Sequence, residues 1–362
     1  MANPDPEALR EGALRCIRDW ARVQPGEQVL LFYPCEPYLE PGVRDTFLQV
    51  CQELGARVSE VRCPTFNPRV EEPPPPAARA LEGADVCFYF SPYPAFIHCH
   101  AAKRAMLEYG LRLVPVLAHT AELLASEWAR FPVDILLELH RRSTAFVHRN
   151  PRLTVTARNG TRLVGTAPTV NRVQRDVCIH GLAWHGIWPG ECGPCLAPMQ
   201  DCTGELVVDV LPGFPGFLET KVHITLRDGR IVAIEGGREA EWFRQMIEEH
   251  VRRGADADVL FELQWGLNPK GRIERAVQHC LEDEVELSRC ARTVHFGFGS
   301  GQHGFHWDVV IVDGFDIVNG EGEYLYRDGR LTLLDDPDIR AMAARYSDPD
   351  QVLREVSEVA VP

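Results

Sequence analysis

A chain of 362 residues is longer than one hydrophobic core ordinarily serves, so two domains are expected. With 45% hydrophobic and 25% charged residues it has the balance of a globular protein rather than a disordered or fibrous one. The formal charge of −14, with no dense Lys/Arg run to offset it locally, argues against a nucleic-acid partner or an anionic membrane surface, both of which need clustered positive charge.

The start, MANPDPEALREG, lacks the basic flank and apolar run of a signal peptide, and no stretch approaches a spanning length of apolar residues. A cytoplasmic protein with reduced thiols is expected. Cys16, Cys51 and Cys87 fall in apolar stretches, where a thiol behaves as a small buried hydrophobe.

Residues 6–23 have helical apolar spacing and lead through Pro25-Gly26 to the apolar run QVLLFYP. A second helix over 42–54 is followed by RVSEVRC. Beyond the prolines at 73–76 come a short helix, the buried-strand candidate DVCFYFS, a helix near 95–109, and RLVPVLA. This alternation predicts a parallel sheet covered by helices. The stretch has neither G-x-G-x-x-G nor a P-loop, so no nucleotide cofactor is expected. A helical region over 120–146 closes this α/β domain, taken as residues 1–148.

Residues 149–362 read as a second, α+β domain rich in antiparallel strands. Asn159-Gly160, Asp228-Gly229 and Asp328-Gly329 each interrupt strand-like runs with hairpin turn chemistry. Helices are expected near 238–253 and 337–345.

The sharpest chemical feature is Gly301-Gln302-His303-Gly304-Phe305-His306-Trp307-Asp308, leading into the apolar VVIVDG. On a strand, positions i and i+2 share a face, so His306 and Asp308 can present an imidazole and a carboxylate side by side. The plain alternative for an H-x-D is a hydrogen-bonded pair. Glu262 interrupts the apolar run ADVLFELQWGLNP, His295 lies within ARTVHFGFG, and Glu205 opens GELVVDVL. Taken singly, these read as a rim residue, a core histidine and a strand-edge charge. Taken together, they form an oxygen and nitrogen donor set suited to Zn, Mn, Co or Fe(II).

From Gly204 to about Gly329 the chain resembles the thermophilic metallo-aminopeptidases of the aminopeptidase T and aminopeptidase S type, together with their relative 2,5-dihydroxypyridine dioxygenase. The resemblance rests on GELVVD, DGRIVAIEGGREAEWFR, ELQWGLNPKGRI followed by LEDE, TVHFGFG and HWD. It implies metal ligation by Glu205, Glu262, His295, His306 and Asp308, with a Tyr completing a two-metal peptidase site. The Tyr is absent, since about seven residues beyond His295 stand Gln302 and His303, and Gln264 replaces the usual glycine of the E-L-G motif. The ring-cleaving relative implies a single Fe(II) held by two His and one Asp, with a His where this chain has Glu262. GGREAEWFR and WGLNP look closer to the dioxygenase, whereas the ligand types look closer to the peptidase.

The leading expectation is an aminopeptidase-like hydrolase of an amide or peptide bond, with one or two divalent ions lowering the pKa of a bound water. His303 is the candidate proton shuttle, or else a solvent-facing histidine of a Gly-rich loop. The alternatives are a mononuclear Fe(II) dioxygenase opening a hydroxylated aromatic or pyridine ring, and a degenerate, non-catalytic member that binds a small ligand. A small-molecule or peptide substrate is expected, and the family's habit implies a homodimer.

Rival signals are weaker. Cys192-Gly193-Pro194-Cys195 has C-x-x-C form and, with Cys202 and His180 or His185, could hold a structural zinc. His98-x-His100 converges only if it lies in a turn, and no G-x-S-x-G elbow is present. Trp184, Trp188, Trp242, Trp265 and Trp307 can wall a cleft, though core packing is their commoner role.

Overall fold

The computed structural model describes residues 5–68, 71–93, 96, 99–168, 184–190, 192–197, 199–214, 216–279, 285–301, 305–312 and 314–358. The chain forms two compact units, Met1–Asp134 with Val173–Glu191, and Ile135–Arg172 with Cys192–Pro362.

The first unit is the expected α/β layer structure. β1 (Gln28–Pro34), β2 (Arg57–Cys63), β3 (Val86–Tyr89) and β4 (Arg112–Pro115) pair in parallel, in the order β2-β1-β3-β4. β1 and β3 are apolar because both of their faces are covered, whereas β2, RVSEVRC, sits at the edge, where charge discourages further pairing. Phe32, Phe66, Tyr89 and Phe96 pack in one aromatic cluster, with Tyr89 and Phe96 stacked at 4.0 Å. Cys16, Cys51 and Cys87 are buried, and desolvation pushes the Cys51 thiol up to about 12.

Two features depart from expectation. A fifth parallel strand, Trp184–His185, joins β4 from a stretch without periodic signal. The single helix read over 120–146 is three, Ala121–Leu124, Glu127–Arg130 and Val133–Arg149, because Thr120 and Ser126 each cap a new start with a side-chain oxygen.

The second unit holds two sheets. Counting the Trp184–His185 strand as β7, the larger sheet has the order β10-β9-β8-β6-β5-β14-β15-β16. Its strands are β5 (Arg152–Ala157), β6 (Arg162–Thr166), β8 (Thr203–Val208), β9 (Val222–Arg227), β10 (Arg230–Glu235), β14 (Phe315–Asn319), β15 (Tyr324–Arg327) and β16 (Arg330–Leu331). The hairpins β9-β10 and β15-β16 turn at Asp228-Gly229 and Asp328-Gly329, where all four residues take the positive φ that such two-residue turns demand. The smaller sheet is antiparallel, β11 (Leu260–Trp265), β12 (Thr293–Phe298) and β13 (Trp307–Val312). Helices Arg238–Arg252 and Pro337–Ala343 match expectation. Among the described residues no helix is long and apolar enough to cross a membrane.

Helix Val133–Arg149 is tied to the start of Pro337–Ala343 by charge. Arg142 donates to Glu138 at 2.7 Å, to Asp336 at 2.5 Å and to Asp338 at 2.8 Å, and Arg141 also donates to Glu138. Arg141, opposed by burial and aided by Arg142, holds the Glu138 carboxyl down at about 2. The depressed value means that its stabilisation is full above the ordinary Glu pKa near 4.5 and is lost as pH falls toward about 2. With Arg141 largely in solvent, about 1–2 kcal/mol is expected from Glu138→Gln at pH 7. Urea unfolding should show that gap closing between pH 4.5 and pH 2; a gap independent of pH would refute the assignment.

Candidate metal centre

The smaller sheet brings its polar side chains into one row by register. Glu262 on β11 pairs with Gly297 on β12, and Gly297 with Asp308 on β13. Since side chains alternate between faces, His295 on β12 and His306, immediately before β13, point to the same side as that row. A β-bulge between Leu260 and Glu262 locally re-aims β11 next to the row. On the same face Gln264 lies beside Glu262 and opposite His295, while Val310 continues the row beyond Asp308.

Its donor atoms are closely spaced. His295 Nε2 lies 3.1 Å from Glu262 Oε1, His306 Nε2 lies 3.3 Å from Asp308 Oδ1, and His306 Nε2 is 3.8 Å from Glu262 Oε2. Donor atoms of Glu262, His295 and Asp308 all fall within 4.8 Å of one another. Bonds of ordinary length about a tetrahedral ion put nitrogen and oxygen ligands about 3.3 Å apart, so these separations suit a shared cation.

Burial sharpens that reading. His295 is 2% exposed and Asp308 4%, and ionised groups so enclosed need partners. The His306 Nδ1–H donates to the Gly299 carbonyl at 2.6 Å, which turns Nε2 toward the carboxylates. His295 Nδ1 is buried without a hydrogen-bond partner among the described residues, so Nε2, which faces Glu262, carries the ring's polar contact. Burial raises the Glu262 carboxyl, but the hydrogen bond from His295 and the field of His306 outweigh both burial and the Asp308 charge, leaving it below its ordinary value.

Gly297 is a requirement of space. A Cβ there would stand 2.5 Å from Asp308 Oδ1, 2.7 Å from Glu262 Cγ and 2.8 Å from His306 Cε1. The missing side chain leaves room where three of the four donors meet, and the residues present fit a divalent ion.

Glu205 does not join them. It sits on β8 of the larger sheet, exposed, and both its oxygens accept from the Thr225 hydroxyl of the neighbouring strand, at 2.9 and 3.1 Å. On this geometry it is the strand-edge charge that was its simpler reading. The Gly-Glu signal occurs a second time in the sequence, at Gly190-Glu191, but Glu191 lies outside the described residues, as do His303, Gln302, His98 and His180. Gln264 donates to the Gly193 carbonyl at 3.1 Å. Trp265 and Trp188 are core residues, and Trp307 alternates to the face opposite Asp308, where it packs on Trp242 at 5.7 Å.

The cysteine pair proves to adjoin the centre. Cys192 and Leu196 bridge Gly266 and Leu263, so this segment runs along β11. The Cys192 thiol donates to the Ser288 carbonyl, whereas the Cys195 thiol donates to Glu262 Oε2 at 3.5 Å. No local pattern marks Cys195 as part of the site; only its C-x-x-C neighbourhood hinted at metal chemistry.

A family model described as 2,5-dihydroxypyridine 5,6-dioxygenase matches residues 15–305. The structure of 2,5-dihydroxypyridine dioxygenase from Pseudomonas putida KT2440 is similar over 91% of this chain and 98% of its own, with TM-score 0.68 and 18% identity. Wild-type AmpT from Thermus thermophilus is similar over 90% and 99%, with TM-score 0.59 and 16% identity. At these identities the two structures show a shared fold. No curated protein sequence matches the chain.

Gly297→Ala is expected to leave the fold intact by circular dichroism while weakening divalent-metal binding by roughly 10–100-fold, as for other changes that displace ligands. Calorimetric titration showing wild-type affinity would mean that the space above Gly297 is not the ion's.

Proposed function

Because this chain belongs to the 2,5-dihydroxypyridine 5,6-dioxygenase family, we propose that it is a mononuclear metal-dependent dioxygenase opening a small hydroxylated aromatic or pyridine ring. Glu262, His295, His306 and Asp308 are its metal-binding side chains in this reading. The observation that supports it is the convergence of two imidazoles and two carboxylates on one patch of sheet. The absent Tyr agrees with one ion rather than two.

An iron(II) ion held here would supply the one-electron chemistry that lets dioxygen react with a ring. The chain's own part is positioning. The Gly299 carbonyl keeps the proton of His306 on Nδ1, so that Nε2 is available without a tautomer change. His295 and Glu262 hold each other in register across β11 and β12.

One observation favours a hydrolase instead: residue 262 is a carboxylate, where the dioxygenase pattern has an imidazole. The two readings separate in one experiment on protein purified without oxygen and loaded with Fe(II) or with Zn, Mn or Co. The Fe(II) protein should consume oxygen with 2,5-dihydroxypyridine or a related hydroxylated ring, with loss of the ring absorbance. His306→Ala and Asp308→Ala should abolish turnover, by at least about 100-fold, with the metal-free protein still folded by circular dichroism. Release of amino acid from aminoacyl amides by the Zn, Mn or Co protein, with no oxygen uptake in any form, would overturn the dioxygenase reading.

A further inference from the structure

We propose that Gln264 is a specificity-determining residue of this centre, its side-chain carbonyl accepting a hydrogen bond from an N–H or O–H on the ring of the ligand, an inference that rests on the metal-dependent ring-opening reading above. Three observations carry it. Register places Gln264 on the donor face, opposite His295 and two residues along β11 from Glu262, so its Cβ lies about 5 Å from that of His295 and about 7 Å from that of Glu262. Along β11 the buried Leu263 and Trp265 alternate with the partly exposed Glu262 and Gln264, so the amide stands on the face that a ligand can reach. The amide is also oriented. Its nitrogen donates to the Gly193 carbonyl at 3.1 Å, and since a carbonyl can only accept, the nitrogen has to be the end that faces it. Gly193 is itself held, because its own amide donates to the Trp265 carbonyl at 2.8 Å and a Cβ there would collide with the Trp265 ring.

Among the described residues Oε1 accepts no hydrogen bond, so its lone pairs are left for a ligand. An acceptor held in this way selects by protonation. A ring carrying N–H or O–H at this point satisfies it, whereas an ether or an N-alkylated ring leaves it unmet. Where the aminopeptidase pattern has a glycine, which offers no such group, this chain places an amide beside the metal-binding side chains. The ligands so selected are uncharged hydroxylated rings, including hydroxypyridines in their N–H form.

Binding under argon tests this without any turnover. The Fe(II)-loaded protein is titrated calorimetrically with 2,5-dihydroxypyridine, with its N-methyl derivative, which lacks the N–H, and with its 5-methoxy derivative, which lacks the 5-hydroxyl. For one of the two methylations the loss of affinity should be on the order of 10-fold greater in the wild type than in Gln264→Met or Gln264→Gly, the arm that responds telling N–H from O–H. Losses equal in all three proteins, with binding of the parent ring abolished by Asp308→Ala, would make Gln264 merely structural and leave the metal centre standing. No binding of the parent ring, or binding indifferent to Asp308→Ala, would overturn both.

Discussion

Two carboxylates and two imidazoles enclosed on one face of a three-stranded sheet form the constraint on which the second unit depends. None of them could be buried alone, since an isolated ionised group in an apolar sheet costs several kcal/mol. Each is tolerable only because strand register delivers its complement within hydrogen-bonding or metal-bridging reach. The register therefore has to be unique, because a slip of one residue would turn Glu262 or Asp308 to the opposite face. Apolar residues elsewhere on β11, β12 and β13 supply that uniqueness, and Gly297 keeps the centre of the row open.

Much of this was legible in the chain itself, for identifiable reasons. Asp228-Gly229 and Asp328-Gly329 announce hairpins because few other pairs accept two positive φ values in succession. His306 and Asp308 could be paired on paper because strand periodicity is two, and Glu262 stood out because an acid inside an apolar run needs a reason. Glu205 could not be assigned on paper, because an exposed charge at a strand start looks the same whether it serves a metal or, as its oxygens do here, accepts from a neighbouring threonine. Cys195 was invisible as a neighbour of Glu262, since the contact spans 67 residues and is made by an irregular segment with no period to read. The Trp184–His185 strand was missed for a similar reason, two residues being too few to alternate.

Family and fold answer different questions. The whole-chain likeness to both a ring-cleaving dioxygenase and AmpT shows that one scaffold underlies them, and a scaffold does not choose a reaction. The choice lies in the donors. A two-metal hydrolase needs enough side chains to hold two ions at bonding distance from a shared water, whereas activation of dioxygen needs one redox-active ion with vacant positions. The described residues gather a compact set of donors around one point, and the family match lies on the dioxygenase side.

The carboxylate at position 262 carries a further electrostatic consequence. Where two neutral imidazoles and a single carboxylate would leave a divalent ion with a residual positive charge, Glu262 and Asp308 together would cancel the charge of such an ion held here. A centre that is formally neutral gives little Coulombic pull to an anion, and any additional negative donor would make it repel one. Recognition here must then come from shape and from individual hydrogen bonds, which favours an uncharged ring over a carboxylated one.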